Sequence, residues 1–322
     1  MTDAIQGTTA TRSVVLFVIG MARSGTSALT RVLSLCGGTL PPGMVGANKS
    51  NPLGYWEPRK AIYLNEAILY RHRSAPYDPT LRLQEEHAFD ANDKAACVAE
   101  ISAYLSTLPA APLLIIKEAR VNLLSDMWFE AVRLAGSDIV TVIAVRHPQE
   151  VAASLARHMG SSPELSSALW LKYNLLAERN TRGLPRVFVE YPNLLGDWRR
   201  EIERISAALA IDLDNRDDAA IEEFLEQDLH RQRYSGLVRE LFGTDWISTV
   251  YESLHAAARD ELWDGSTLDR VFEAYRASEH DFRRVFADFH RYYKFRVLLR
   301  PSVMKLIGEV LAFAHRRSGT WA

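Results

Sequence analysis

The chain has 322 residues, 48% of them apolar and 24% charged, with a formal net charge of −2. This is the profile of an ordinary globular protein long enough for one large domain or a domain plus an appendage. Near-zero net charge gives no sign of bulk nucleic-acid binding, so any basic site must be local. The two cysteines, Cys36 and Cys97, have no metal-ligand spacing, and Cys36 ends an apolar helical run, so it reads as a small core residue. A reducing cytoplasm is the expected compartment. Met1–Ser13 is polar and lacks the apolar centre of a signal peptide, and no run approaches the roughly 18 apolar residues of a membrane span.

Val14–Ile19 is a continuous, β-branched apolar run, as expected of a strand buried on both faces, and Gly20 ends it. Ser27–Cys36 then carries a helical apolar stripe (Ala28, Leu29, Val32, Leu33, Leu35), stopped by Gly37 and Gly38. Thr39–Gly54, rich in Pro, Gly and Asn, is a long loop of the kind that is usually functional or disordered. Helices are expected over Pro58–Tyr70 and Asn92–Leu105, a strand over Leu113–Ile116 and a helix from about Leu123 to Leu134. Ile139–Val145 is the third strand. Pro148–His158 and Pro163–Arg179 are helices, Arg186–Glu190 is the fourth strand, and Leu194–Leu209 is one further helix. Four apolar strands separated by helices define an α/β domain with a parallel sheet flanked by helices, whose ligands sit at the carboxyl ends of the strands. After about Ser235 no strand-like run remains. Residues 236–322 read as a helical, aromatic-rich C-terminal subdomain appended to an α/β domain of residues 14–235. Its aromatics suit a core, a cover over a ligand site or a homodimer contact.

Two segments carry chemistry. Gly20-Met21-Ala22-Arg23-Ser24-Gly25-Thr26-Ser27 lies where the first strand turns into the first helix. Backbone N–H groups and a helix dipole favour an anion there. Gly20 and Gly25 allow the tight path and close approach of a phosphate. Ser24, Thr26 and Ser27 add hydroxyls, and Arg23 adds a charged fork of donors. The segment is close to the Walker A pattern G-x-x-x-x-G-K-S/T, but Thr26 stands at the lysine position. A P-loop kinase or NTPase therefore loses its key phosphate contact. The second segment is Val145-Arg146-His147-Pro148 with Ser154 on the helix beyond. Arg146, at the ligand edge of the sheet, either shares a phosphate with Ser154 or serves as a salt-bridge partner.

Together these two segments resemble the sulfotransferases that use 3′-phosphoadenosine 5′-phosphosulfate (PAPS). Three further segments are similar to bacterial members. They are Asn51-Pro52-Leu53-Gly54-Tyr55-Trp56-Glu57 with Leu64–Leu69, Val189-Glu190-Tyr191-Pro192-Asn193-Leu194, and Phe224 to Arg231. The resemblance spans Val14–Arg233 and implies a P-loop-like sulfotransferase fold. It further implies PAPS as donor with no metal required, the 5′-phosphosulfate on Gly20–Ser27 and the 3′-phosphate on Arg146 and Ser154. Tyr191, His230 and Arg231 are then nucleotide-side residues. Sulfuryl transfer to a hydroxyl needs a base and cations over the transferring group. Glu57 matches a glutamate that serves as base in part of the family; its other reading is a first-turn glutamate complementing a helix dipole. His72 is a weaker alternative base. Many bacterial relatives read K-D-P-R where this chain reads Lys117-Glu118-Ala119-Arg120, which keeps the charges, loses the proline and lengthens the acid. Lys117 is expected to contact the transferring sulfonate or leaving group, together with Arg23, or else is a structural lysine. The acceptor is a hydroxyl-bearing small molecule, sugar or lipid. Besides the kinase or NTPase, a catalytically inactive nucleotide-binding scaffold is the other reading.

Overall fold

The computed structural model describes residues 12–47, 51, 53–226, 234, 236–240 and 242–298. The elements run β1 (Val14–Gly20), α1 (Thr26–Leu35), α2 (Arg59–Arg71), α3 (Ala91–Leu105), β2 (Leu113–Lys117), α4 (Ser125–Leu134), β3 (Asp138–Val145), α5 (Pro148–Met159) and α6 (Pro163–Asn180). They continue with β4 (Arg186–Glu190), α7 (Tyr191–Gly196), α8 (Trp198–Leu209), α9 (Asp218–Glu226), α10 (Trp246–Ala257) and α11 (Gly265–Leu298), with short 3-10 turns at Arg82–Gln84 and Ala119–Leu123. No helix among the described residues is long and apolar enough to cross a membrane.

The four strands form one parallel sheet in the order β2-β1-β3-β4. β1 is central because both of its faces are apolar. Leu16 and Val18 join the layer made by α1 and α8 through Leu29, Val32, Ile202 and Ile205. Phe17 points the other way and meets Trp128 and Phe129 of α4 edge-on, at ring-centroid distances of 6.2 and 5.3 Å. A strand buried on both faces must be apolar at every position, and β1 is buried from Val15 to Gly20. The chain leaves β1 toward β2 on one side and leaves β3 toward β4 on the other. The carboxyl ends of β1 and β3 therefore flank the switch point where open α/β sheets hold ligands.

The expected strands and most helices are present to within a residue or two at their ends. One helix expected over Leu194–Leu209 is instead two. Asp197 breaks it with an extended φ of −150° and caps α8 by accepting the Arg200 N–H at 3.1 Å. Apolar periodicity runs through this break unseen, because Leu194 and Trp198 both face the core.

The chain divides into two compact units, Met1–Phe272 and Glu273–Ala322. In the first, α10 sits against the end of β4, where Tyr251 Oη donates to Glu190 Oε1 at 2.8 Å and His255 Nδ1 lies 2.8 Å from Glu190 Oε2. In the second, the helix carries ion pairs along its own surface, Arg276 with Glu273 and Arg283 with Glu279.

Candidate active site

Gly20 closes β1 with a φ of +125°, and a Cβ there would stand 2.5 Å from the carbonyl oxygen of Ala144 on β3. Only glycine lets the two strand ends lie this close. The chain then turns sharply. The Ser24 N–H donates to the Met21 carbonyl at 3.1 Å, Arg23 has a φ of 72° and Gly25 a φ of 88°. Gly25 is the N-cap of α1, and no side chain among the described residues caps the helix. The first-turn amides of α1 are thus left to an external acceptor, at the positive end of the helix dipole. Ser24 is buried, and its hydroxyl makes no hydrogen bond among the described residues. Such a hydroxyl is costly unless something completes it.

A cavity of about 220 Å³ opens over this turn. Of the residues expected at the site, Arg23, Gly25, Thr26, Ser27, Glu57, Lys117, Arg146 and Tyr191 line it. Ser24 and Ser154 are not among the lining residues. His230 and Arg231 lie outside the described residues.

One constellation is tight. Lys117 Nζ, almost wholly buried at the end of β2, donates to Glu57 Oε1 at 2.6 Å, to the Tyr55 carbonyl at 3.0 Å and to Ser27 Oγ at 3.4 Å. Ser27 Oγ in turn donates to the same Tyr55 carbonyl at 3.1 Å. An ammonium has three protons, and these partners use all of them. The second carboxylate oxygen of Glu57 has no partner among the described residues.

A second group surrounds Arg146. Its Nε donates to Glu150 Oε2 at 2.6 Å, its Nη1 donates to the Arg23 carbonyl at 3.1 Å, and its guanidinium lies 4.7 Å from the ring centre of Tyr191. Tyr191 also packs on Gly25. Arg146 therefore sits at the end of β3 as part of a buried ion pair that braces the glycine turn. Ser154 is bonded not to Arg146 but to Arg23, whose Nε donates to Ser154 Oγ at 3.0 Å. The arrangement joins Arg23 to Ser154 through its side chain and to Arg146 through its carbonyl, with Arg146 held by Glu150 and lying over Tyr191. His72 is elsewhere, at the end of α2 with its ring 4.1 Å from that of Phe89.

Arg120, also on the cavity wall, bonds Glu66 at 2.6 Å and the buried Glu118. Burial pushes the Glu118 carboxyl up, and the neighbouring Arg120 charge opposes the shift. Two site features had no signal in the sequence. The Tyr55 carbonyl is a backbone atom, and Tyr173, whose hydroxyl donates to the Pro76 carbonyl at 2.8 Å, lies inside a helix buried on all sides. The Arg146–Glu150 pair did have one, since Arg146 directly follows the third strand and Glu150 stands four residues on, in the first turn of α5.

The fold and site define an α/β protein with a glycine-rich strand-to-helix turn at its topological switch point and a lysine–carboxylate pair beside it. No protein-family model matches the sequence, and no curated protein matches it. Solved sulfotransferase structures are similar to it. The sulfotransferase domain of the Synechococcus PCC 7002 olefin synthase is 19% identical, with a TM-score of 0.41 over 82% of this chain and 94% of that one. Mouse sulfotransferase SULT7A1, in complex with PAP, is 14% identical, with a TM-score of 0.36 over 83% of this chain and 90% of that one. Retinol dehydratase, in complex with androsterone and the inactive cofactor PAP, is 16% identical, with a TM-score of 0.34 over 66% of this chain and 63% of that one.

Proposed function

We propose that this chain is a sulfotransferase that moves a sulfuryl group from PAPS to the hydroxyl of a small-molecule, sugar or lipid acceptor. The observation that carries the proposal is the meeting of Glu57, Lys117 and Ser27 beside the glycine turn, inside one cavity. The residues present fit the donor. The turn offers uncapped helix amides, Thr26 and the cation of Arg23 to the phosphosulfate end. Arg146 and Ser154 flank the turn as candidates for the 3′-phosphate. PAPS supplies a sulfuryl group already activated by linkage to a good phosphate leaving group.

The chain's own residues do the rest. Glu57 takes the acceptor's hydroxyl proton on Oε2, because Oε1 is held by Lys117. Lys117 and Arg23 place positive charge where negative charge develops on the leaving oxygen. Thr26 at the Walker lysine position turns the same loop away from nucleoside triphosphates.

Calorimetry with 3′-phosphoadenosine 5′-phosphate (PAP) tests the donor. Binding is expected, and none at high micromolar ligand would sink the proposal. Arg146→Ala should weaken PAP much more than AMP; equal losses contradict the 3′-phosphate role. Glu57→Gln should keep PAP affinity and lower turnover about 10²- to 10⁴-fold. PAP binding without turnover on any acceptor would favour a nucleotide-binding scaffold.

A further inference from the structure

Behind the Glu57–Lys117 contact lies a buried polar array whose role is open. Glu118 directly follows Lys117, and its carboxylate is fully buried. It accepts from the Arg120 N–H at 3.1 Å, from Arg120 Nη1 and from Asn65 Nδ2. Asn65 is buried too, and its Oδ1 accepts from Trp128 Nε1 at 2.8 Å. Arg120 Nη2 donates to Glu66 Oε1 at 2.6 Å. Asn65 and Glu66 are consecutive on α2, the helix into which Glu57 leads. Two neighbours at the end of β2 are thus tied to one structural piece: Lys117 to Glu57, and Glu118 to Asn65.

Capping the 3-10 turn at Ala119–Leu123 does not require a fully buried carboxylate, since an exposed Asp or Ser does that work elsewhere in proteins. A buried charge is tolerated where several donors meet it, and removing it leaves those donors unpaired. Here the donors come from α2 and from the segment after β2. A helix is stiff along its length, so pinning Asn65 and Glu66 sets where Glu57 stands relative to Lys117.

We propose that Glu118 is a positioning residue: through Asn65, and through Arg120 to Glu66, it holds α2 on the end of β2 and so sets the Glu57–Lys117 contact. Its consequence for turnover rests on the sulfuryl-transfer reading; its structural consequence does not.

Competitive acetylation of lysines with acetic anhydride, read by mass spectrometry on the full chain, tests it without donor or acceptor. Lys117 is shielded by its three partners. In Glu118→Gln its labelling should rise about tenfold through local opening. In Glu66→Gln, a change at a half-exposed position, the rise should be about two- to threefold. Lys172, fully buried within α6, is the internal control and should stay unlabelled in both. Unchanged Lys117 labelling in a folded variant overturns the proposal, as does an equal rise at Lys172, which would mean general loosening. If Glu118→Gln does not fold, Glu66→Gln decides alone. In turnover, Glu118→Gln should cost about a hundredfold in the wild-type background and nothing further on Glu57→Gln. Additive losses overturn it. Wild-type protein that fails to bind PAP removes the sulfuryl-transfer reading and leaves the labelling result in force.

Discussion

A Cβ on Gly25 would stand 2.1 Å from Tyr191 Cδ2, and the φ of +88° is one that side chains rarely adopt. The glycine therefore serves two ends: it lets the turn reach α1, and it lets the Tyr191 ring approach the turn while lying under the Arg146 guanidinium. Gly25→Ala is expected to cost about 1–3 kcal/mol in strain and displaced ring. It should also weaken PAP by more than about tenfold, since the cradle amides move with the backbone. Urea unfolding and calorimetry read the two effects separately. At this scale the residues of the turn were legible in the sequence, because glycine, hydroxyl and arginine at a strand-to-helix junction have a local physical meaning. The partners were not. Ser154 was expected with Arg146 and is bonded to Arg23, 131 positions away in sequence, while Arg146 is held by its helical neighbour Glu150.

At the scale of elements, the strands were legible because burial on both faces demands apolar residues at every position, which leaves a continuous run. The helix that begins at Trp198 shows where periodicity stops being informative. Asp197 ends α7 and caps α8, yet the apolar residues on either side share one core. Asp197→Ala should lower stability by about 1 kcal/mol, seen as a shift of the urea midpoint without change of slope. No loss would mean that tertiary packing of Trp198, Ile202 and Ile205 alone holds the start of α8. The same limit applies to α10. Its aliphatic face, Ile247, Val250 and Leu254, is buried, but that Tyr251 and His255 close on Glu190 depends on where β4 ends in space.

For the molecule as a whole, one pH-dependent contribution comes from His147, at the N-terminus of α5. Its Nδ1 accepts the Gln149 N–H at 3.3 Å, and its ring packs against Tyr234 and Tyr251. Burial holds its pKa below the ordinary histidine range, with the nearby Glu150 charge opposing that shift. The unfolded chain then takes up this proton before the folded one does. The histidine's contribution to stability is thus complete above about pH 6.5 and is lost as pH falls through the folded value. His147→Asn keeps a capping acceptor and removes the titration. Its stability should fall less than that of the wild type between about pH 7 and 5. Comparing the two proteins is needed because the raised Glu118 carboxyl acts in the opposite sense, lending stability as pH falls. Parallel pH profiles for the two would remove His147 as the source. Composition changes after Ser235, whereas the first compact unit runs to Phe272, since α10 is packed within it.

The sequence by itself determined the strands, the helical segments between them and the glycine turn Gly20–Ser27 at the first strand-to-helix junction, all of which follow from neighbours within a turn or two of chain. Only the tertiary structure decided which charges meet. Lys117 finds Glu57 across 60 positions and Ser27 across 90, and a lysine's role depends on what its three protons touch. Those contacts form where the carboxyl ends of β1 and β2 lie side by side, a place that exists only once the sheet has chosen its order.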